Sequence, residues 1–260
     1  MPINTYQRGV LTLLAKNRSP DSYVAGASVI NRSDDSPRFS ADVDIFHDPS
    51  VAVQECATVD IKTLEHHGYR VRRLIEQRGF VRCVVERDSD SVKLEWVSDT
   101  AFRFFPVVAD SDFGFRLHDI DAAINKALAL ANRTEVRDVI DLLSIHEKIL
   151  HLGLCCWAAC GKDPGFTPDL ILDLLSRNAR ITPDLLAAEQ LREPHDPVQI
   201  KVRWQMALQE AQSLIAELPP ASLGCVFVDR NGKVPRRVHS VDTLTKHFGS
   251  VRGCTPQLID

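Results

Sequence analysis

Two aspartates, Asp42 and Asp44, stand two residues apart in the apolar frame Phe39-Ser-Ala-Asp-Val-Asp-Ile-Phe46. Residues so spaced on a β-strand share one face. The spacing therefore predicts two carboxylates projecting side by side, with Val43 and Ile45 turned the other way. Like charges that close repel unless a cation stands between them, and a hard divalent ion is the usual partner of paired carboxylates. Taken alone, Asp-x-Asp reads as solvated polar alternation on a strand; the motifs around it favour a metal site. Glu95 extends the pattern in Val92-Lys93-Leu94-Glu95-Trp96-Val97, where alternation sets Lys93 and Glu95 opposite Leu94 and Trp96.

The elements around these residues are legible from periodicity and breakers. A short strand over 22–25 ends in the small-residue turn Ala25-Gly26-Ala27-Ser28, and a helix begins over 28–32. Gly26 lets backbone N–H groups approach phosphate with no side chain in the way. A polar loop over 31–38 leads to the Asp-Val-Asp strand, and Asp48-Pro49-Ser50 restarts the chain with Pro early in a helix over 51–67. Strands are predicted over 69–76, 80–87 and 91–98, then a loop carrying Phe102, Phe104 and Phe105. From Asp119 the pattern is helical, with Ile120, Ala123, Ile124, Ala127 and Ala131 on one stripe and Lys126 closing the helix. Arg137, Asp138 and Asp141 open the next helix, and the aspartates, three apart, share a helical face. Helices over 168–177, 183–191 and 197–218 each open with Pro, and Asn231-Gly232 marks a hairpin over 225–238. The layout is α+β: a mixed sheet with flanking helices over 1–117, then a mainly helical domain over 118–260 with a small hairpin.

Composition narrows the class. The 260 residues are 44% hydrophobic and 25% charged, with a formal net charge of −4. That is a globular composition with no global attraction to nucleic acid or anionic membranes. No apolar run is long enough to span a bilayer, and the first residues lack a signal-peptide layout. Seven scattered cysteines suit reduced thiols in the cytoplasm. Cys155, Cys156 and Cys160 read as buried thiols on a helix, and His66, His67 and His118 as surface histidines. Between 69 and 87 six arginines face two glutamates, and Arg230, Lys233, Arg236 and Arg237 form a second basic cluster. Each cluster alone reads as a solvated surface.

In order, the chain carries Gly26-Ala27-Ser28, Asp42-Val43-Asp44, Lys93-Leu94-Glu95, and Lys126 followed by Asp138-Val-Ile-Asp141. That succession resembles the nucleotidyltransferase fold of the DNA polymerase β superfamily, and most of all the AbiEii-type nucleotidyltransferase toxins. The resemblance covers about residues 20–147. It departs where Ala27 follows Gly26, a place where the family carries a hydroxyl, and in the longer gap from Gly26 to Asp42.

The resemblance implies transfer of a nucleoside monophosphate from a nucleoside triphosphate (NTP) to a hydroxyl acceptor, with pyrophosphate leaving. It implies Asp42, Asp44 and Glu95 as ligands of Mg2+ or Mn2+. It implies Gly26, Ala27, Ser28 and Lys93 around the nucleotide, Lys126 against phosphate charge, and Asp138 and Asp141 orienting Lys126 or meeting the nucleotide. Asp138 and Asp141 are as readily an acidic helix N-terminus. The expected setting is the toxin of a toxin–antitoxin pair acting on tRNA in the cytoplasm, with a cognate antitoxin and no membrane. The rivals are a transferase modifying a protein or small molecule, and a catalytically silent nucleotide- or protein-binding module of the same fold.

Overall fold

The structure is a computed structural model that describes residues 3–257. The chain forms two compact units, one of residues 1–101 and 107–118, the other of residues 102–106 and 119–260. The strands, in chain order, are β1 (Ser22–Ala25), β2 (Asp42–His47), β3 (Arg70–Gln77), β4 (Phe80–Arg87), β5 (Asp90–Ser98), β6 (Phe102–Arg103), β7 (Val108–Asp110), β8 (Gly114–Arg116), β9 (Cys225–Val228), β10 (Thr245–Phe248) and β11 (Ser250–Val251). The helices are α1 (Thr5–Leu14), α2 (Gly26–Ile30), α3 (Val53–His66), α4 (Asp119–Asn132), α5 (Val136–Lys148), α6 (Leu152–Lys162), α7 (Pro168–Asn178), α8 (Pro183–Ala187) and α9 (Pro197–Glu217).

The first unit is built on a seven-stranded mixed sheet of order β3-β4-β5-β2-β1-β8-β7. β2 runs parallel to β5 and antiparallel to β1, and β3, β4 and β5 form an antiparallel meander. Alternation decides what each face does. Val43 and Ile45 on β2, Val81, Cys83 and Val85 on β4, and Leu94 and Trp96 on β5 are all buried. This face takes α1 and α3, whose Val10, Leu11, Leu14, Ala57, Ile61 and Leu64 are buried in turn. α1 starts at a capping box, in which Asn4 Oδ1 accepts from Gln7 N at 2.7 Å and Gln7 Oε1 accepts from Asn4 N at 3.0 Å.

One polar group sits within this packed face. Asp60 of α3 is fully buried and accepts from Arg18 Nη2 at 2.5 Å, Trp96 Nε1 at 2.7 Å and Asn17 Nδ2 at 2.9 Å. Arg18 also donates to Ser22 Oγ at 3.0 Å, and that hydroxyl lies 3.2 Å from His47 Nε2. Burial, with Arg18 near, pushes the His47 pKa down to about 4, so the ring is neutral.

The second unit is largely helical. α6 is buried along most of its length and contacts α4, α7 and α9 as well as β9, as expected of a helix apolar on all sides. Its Cys155, Cys156 and Cys160 are free thiols, raised by burial, and therefore inert packing groups. α7, α8 and α9 each open on a capping Thr or Asp followed by Pro. Residues 102–106 belong here: the Phe104 and Phe105 N–H groups donate to the two oxygens of Asp121, which also meets Lys162 Nζ at 2.7 Å.

Four local expectations need correction. Lys126 does not close α4 but lies in its interior, because the helix continues to Asn132. Pro49 lies in a turn in which Val51 N donates to Asp48 O, and α3 starts later, at Val53. β7 and β8, which the sequence pattern does not announce, are too short to show periodicity yet form the edge beside β1. The Asn231-Gly232 turn exists, with Asp229 Oδ1 accepting from Asn231 N and Lys233 N. β9 nevertheless pairs with β10, not with residues just after the turn. Pro235 lacks an N–H, and Arg236 O accepts instead from His151 N at 2.9 Å, so this segment is diverted from the ladder.

Replacing Asp60 by Ala leaves the Arg18 guanidinium buried without its carboxylate. We expect chemical denaturation to show a loss on the order of 3–5 kcal/mol; a loss under about 1 kcal/mol would show that the network is not a buried charge pair.

Candidate functional site

The face of the first unit's sheet opposite α1 and α3 gathers the sequence-predicted carboxylates. The β2–β5 register sets Asp42 beside Lys93 and Asp44 beside Glu95. The β4–β5 register adds Arg82 beside Glu95, and the β1–β2 register sets Ala25, the residue before Gly26, beside Asp44. One row across the sheet thus reads Arg82, Glu95, Asp44, Ala25. Asp42, Asp44, Lys93 and Glu95 are half-buried, whereas the alternate residues Val43, Leu94 and Trp96 are fully enclosed.

Gly26 is required by two facts at once. Its φ is +64°, a region that favours glycine, and a Cβ placed there would lie 2.1 Å from Asp44 Oδ2. The carboxylate therefore rests directly on the turn. Ala27 is half-buried beside it. Ser28 is fully buried, and its Oγ donates to Asp42 O at 3.0 Å, as Ser40 Oγ does at 2.8 Å. These hydroxyls hold the first residue of β2 in place.

Asp42 and Glu95 carry their own cations. Lys93 Nζ lies 2.9 Å from Asp42 Oδ2 and 3.6 Å from Glu95 Oε1, and Arg82 Nε donates to that same Oε1 at 2.8 Å. The Arg82 guanidinium lies over the Phe80 ring at 5.2 Å. Three oxygen-bearing groups on one face suit a hard ion such as Mg2+ or Mn2+, and the two resident cations mark the same demand for positive charge. In sequence Arg82 is only one member of a basic run. Its partnership arises from pairing across strands, which no local spacing reveals. Arg70 and Arg72 pair with Glu86 and Val84 and so share this face, whereas Arg73 pairs with the inward Cys83 and belongs to the other.

Lys126, Asp138 and Asp141 come together within the second unit. Lys126 Nζ is 2.9 Å from Asp138 Oδ1 and 3.0 Å from Asp141 Oδ2, and Arg133 Nε donates to Asp138 Oδ2 at 2.7 Å. Both aspartates are fully buried. Burial raises the Asp138 pKa, but Lys126 and Arg133 outweigh it and hold the carboxyl below its ordinary value.

Among the described residues, the three metal-ligating side chains whose atoms converge within 4.8 Å are neither of these sets but His146, His151 and Glu210. No local spacing in the sequence marks them. Their hydrogen bonds argue against a metal. His146 Nδ1 accepts from Leu152 N at 3.1 Å and His151 Nδ1 from Gly153 N at 3.2 Å, which leaves each Nε2 as the protonated nitrogen. A metal-bound histidine usually has the reverse arrangement, with its second nitrogen donating. Each Nε2 lies 3.5 Å from Glu210 Oε2, to which Arg237 Nη2 donates at 2.8 Å. The group is a carboxylate clamp that ties α9 to the start of α6. Arg236 likewise donates to His146 O, so these two members of the C-terminal basic cluster have partners within the fold.

No family model matches the chain, and no curated protein matches it. Solved structures do. MenT4, a nucleotidyltransferase toxin from Mycobacterium tuberculosis, matches at 14% identity over 83% of this chain and 83% of its own, with a TM-score of 0.54. JHP933 from Helicobacter pylori matches at 15% identity over 81% of this chain and 90% of its own, with a TM-score of 0.49. The first likeness shows that this chain has the nucleotidyltransferase fold.

The depressed pKa of Asp138 fixes a sign. Its pairing contributes stability that is fully present above the unfolded carboxyl value, about 3.9, and is lost as pH falls through the lower folded value. The wild type should therefore lose more stability than Asp138→Asn on acidification from about pH 5 to 2, read by urea denaturation at each pH. Equal slopes would contradict the pairing.

Proposed function

We propose that this chain is a divalent-metal-dependent nucleotidyltransferase. The observation that carries the reading is the register that sets Asp42, Asp44 and Glu95 on one sheet face, with the Gly26 turn against Asp44, in a nucleotidyltransferase fold. The acceptor hydroxyl oxygen attacks the α-phosphorus of an NTP. A new phosphorus–oxygen bond forms, the bond from that phosphorus to the α–β bridging oxygen breaks, and pyrophosphate leaves.

Asp42, Asp44 and Glu95 would hold the metal ions, which when bound would supply charge neutralisation at the phosphates and a more acidic acceptor hydroxyl. Glu95, on the strand beside the two aspartates, completes the metal site or takes the hydroxyl proton. The backbone at Gly26 and Ala27 approaches the terminal phosphates, with Ser28 supporting β2 beneath it. Lys93 answers phosphate charge, and within the second unit Asp138 and Asp141 orient Lys126. In this reading the acceptor is tRNA, the chain is the toxin of a pair with a cognate antitoxin, and it works in the cytoplasm. The toxin function that MenT4 carries in its name and the arginines sharing the carboxylate face support that choice. Among the described residues no helix is long and apolar enough to cross a membrane.

One observation favours the silent-module reading: Ala27 has no hydroxyl, and the Ser28 hydroxyl is committed to Asp42 O. Incubation with each labelled NTP, Mg2+ and total tRNA separates the two. Label on RNA, reduced at least about a thousandfold in Asp42→Ala and Asp44→Ala and falling with salt, is the expected result. Label on protein would move the acceptor. NTP binding with no transfer would leave the silent module standing.

Gly26→Ala places a methyl against Asp44 and forces a left-handed residue. We expect a loss of about 1–2 kcal/mol in stability and a loss of transfer far beyond that, measured side by side on one preparation.

A further inference from the structure

We infer that Lys93 and Arg82 are resident counter-cations of the carboxylate trio, with Lys93 standing where a divalent ion has to enter, so that the ion loads together with a polyphosphate and not ahead of it. This rests on the metal-dependent reading above and adds to it an order of binding.

Three observations converge. Lys93 Nζ bridges Asp42 Oδ2 at 2.9 Å and Glu95 Oε1 at 3.6 Å, the place between two ligands that a metal would take. Arg82 Nε engages that same Glu95 oxygen at 2.8 Å, and the guanidinium is backed by the Phe80 ring. The oxygens of Asp42, Asp44 and Glu95 are not among those gathered within 4.8 Å, although the register places all three side chains on one face. Asp42 and Glu95 are thus turned toward their cations. Two unit positive charges beside three carboxylates offset most of their charge and so weaken the pull on a further dication.

The two cations differ in freedom. Their side chains are equally exposed (34%), but Lys93 is a point charge on a flexible stem and so can withdraw. Arg82 is held at both the Glu95 oxygen and the aromatic face. A nucleoside triphosphate offers Lys93 a new anionic partner. When the ammonium moves to the phosphates, Asp42 and Glu95 are released to converge with Asp44. A free dication brings no such exchange. The chemistry that opens the site is therefore a metal–polyphosphate complex.

The test is Mn2+ binding followed by electron paramagnetic resonance, without nucleotide and then with a non-hydrolysable NTP. Wild-type protein should bind Mn2+ weakly alone and more tightly with the analogue. Lys93→Met should bind Mn2+ alone on the order of tenfold more tightly than wild type, while its nucleotide transfer falls. Arg82→Gln should also bind more tightly, and Lys93→Arg, which keeps the charge, should stay near wild type. A merely structural role for Lys93 would lower both quantities, not move them in opposite directions. Adding Asp44→Asn to Lys93→Met should abolish the gain, which ties it to this site. Thermal melts confirm that each variant is folded.

The inference is overturned if folded Lys93→Met binds Mn2+ no more tightly than wild type, or if wild type binds equally well with and without the analogue. Those outcomes leave the transferase reading intact wherever transfer remains Asp44-dependent. Absence of Asp44-dependent transfer, with Lys93→Met still gaining Mn2+, would instead sink the transferase reading and keep the counter-cation role.

Discussion

The parallel pairing of β2 with β5 is the constraint on which the candidate site depends. With a side-chain period of two, a slip of one residue would carry Asp42 and Asp44 into the face covered by α1 and α3 and turn Val43 and Ile45 outward. That slip would bury two carboxylates and expose two aliphatic side chains. The register is therefore held by hydrophobic burial, and the chemistry on the other face inherits its geometry. Burying Val43, Ile45, Leu94 and Trp96 is worth about 1.5–3 kcal/mol for each, more than the half-buried, solvent-screened ion pairs on the outer face contribute. The site face can then carry repelling charges because it does not hold the fold together.

The inner face fixes more than register. Trp96, directly after Glu95, donates its indole N–H to Asp60, which is itself held by Arg18 and Asn17. β5 is thereby pinned at a defined height beside the residue whose carboxylate faces outward. On β2 the corresponding anchors are Ser28 and Ser40, both directed at Asp42 O. Polar groups that reach no ligand thus set the positions of those proposed to reach one. This is the reason Ser28 matters even with its hydroxyl consumed.

Much of this is legible in the sequence, for physical reasons that also explain the misses. Alternating strands such as Val92–Val97 and Pro-capped helices such as α7 and α9 are encoded locally, and the structure has them. The carboxylates, Lys93 and Gly26 are visible because their spacing within a strand or turn is itself the signal. Arg82 is not, because its tie to Glu95 crosses from β4 to β5 and depends on where a turn sets the register. His146, His151 and Glu210 are assembled from two helices and a connection. The C-terminal hairpin misleads for a related reason: the Asn-Gly turn is a local signal and it forms, but Pro235 and the Arg236–His151 hydrogen bond set the path of the chain beyond it. Lys126 is misplaced within its helix because the Ala-rich run to Asn132 carries no stop signal before Arg133-Thr134.

Two carboxylate-bound lysines, Lys93 in the first unit and Lys126 in the second, differ in how freely each can move. Lys126 is 6% exposed and bound by two buried carboxylates, one of them shared with Arg133. Withdrawing its ammonium would leave Asp141 without that cation inside the protein, a cost of several kcal/mol. It is a fixed charge, and any anion it serves must come to it. Lys93, 34% exposed on a strand face, leaves only half-buried carboxylates behind when it moves, and water can replace it there. The fixed lysine neutralises Asp138 and Asp141 within its own unit, whereas the mobile one neutralises Asp42 and Glu95 and can be exchanged for another cation.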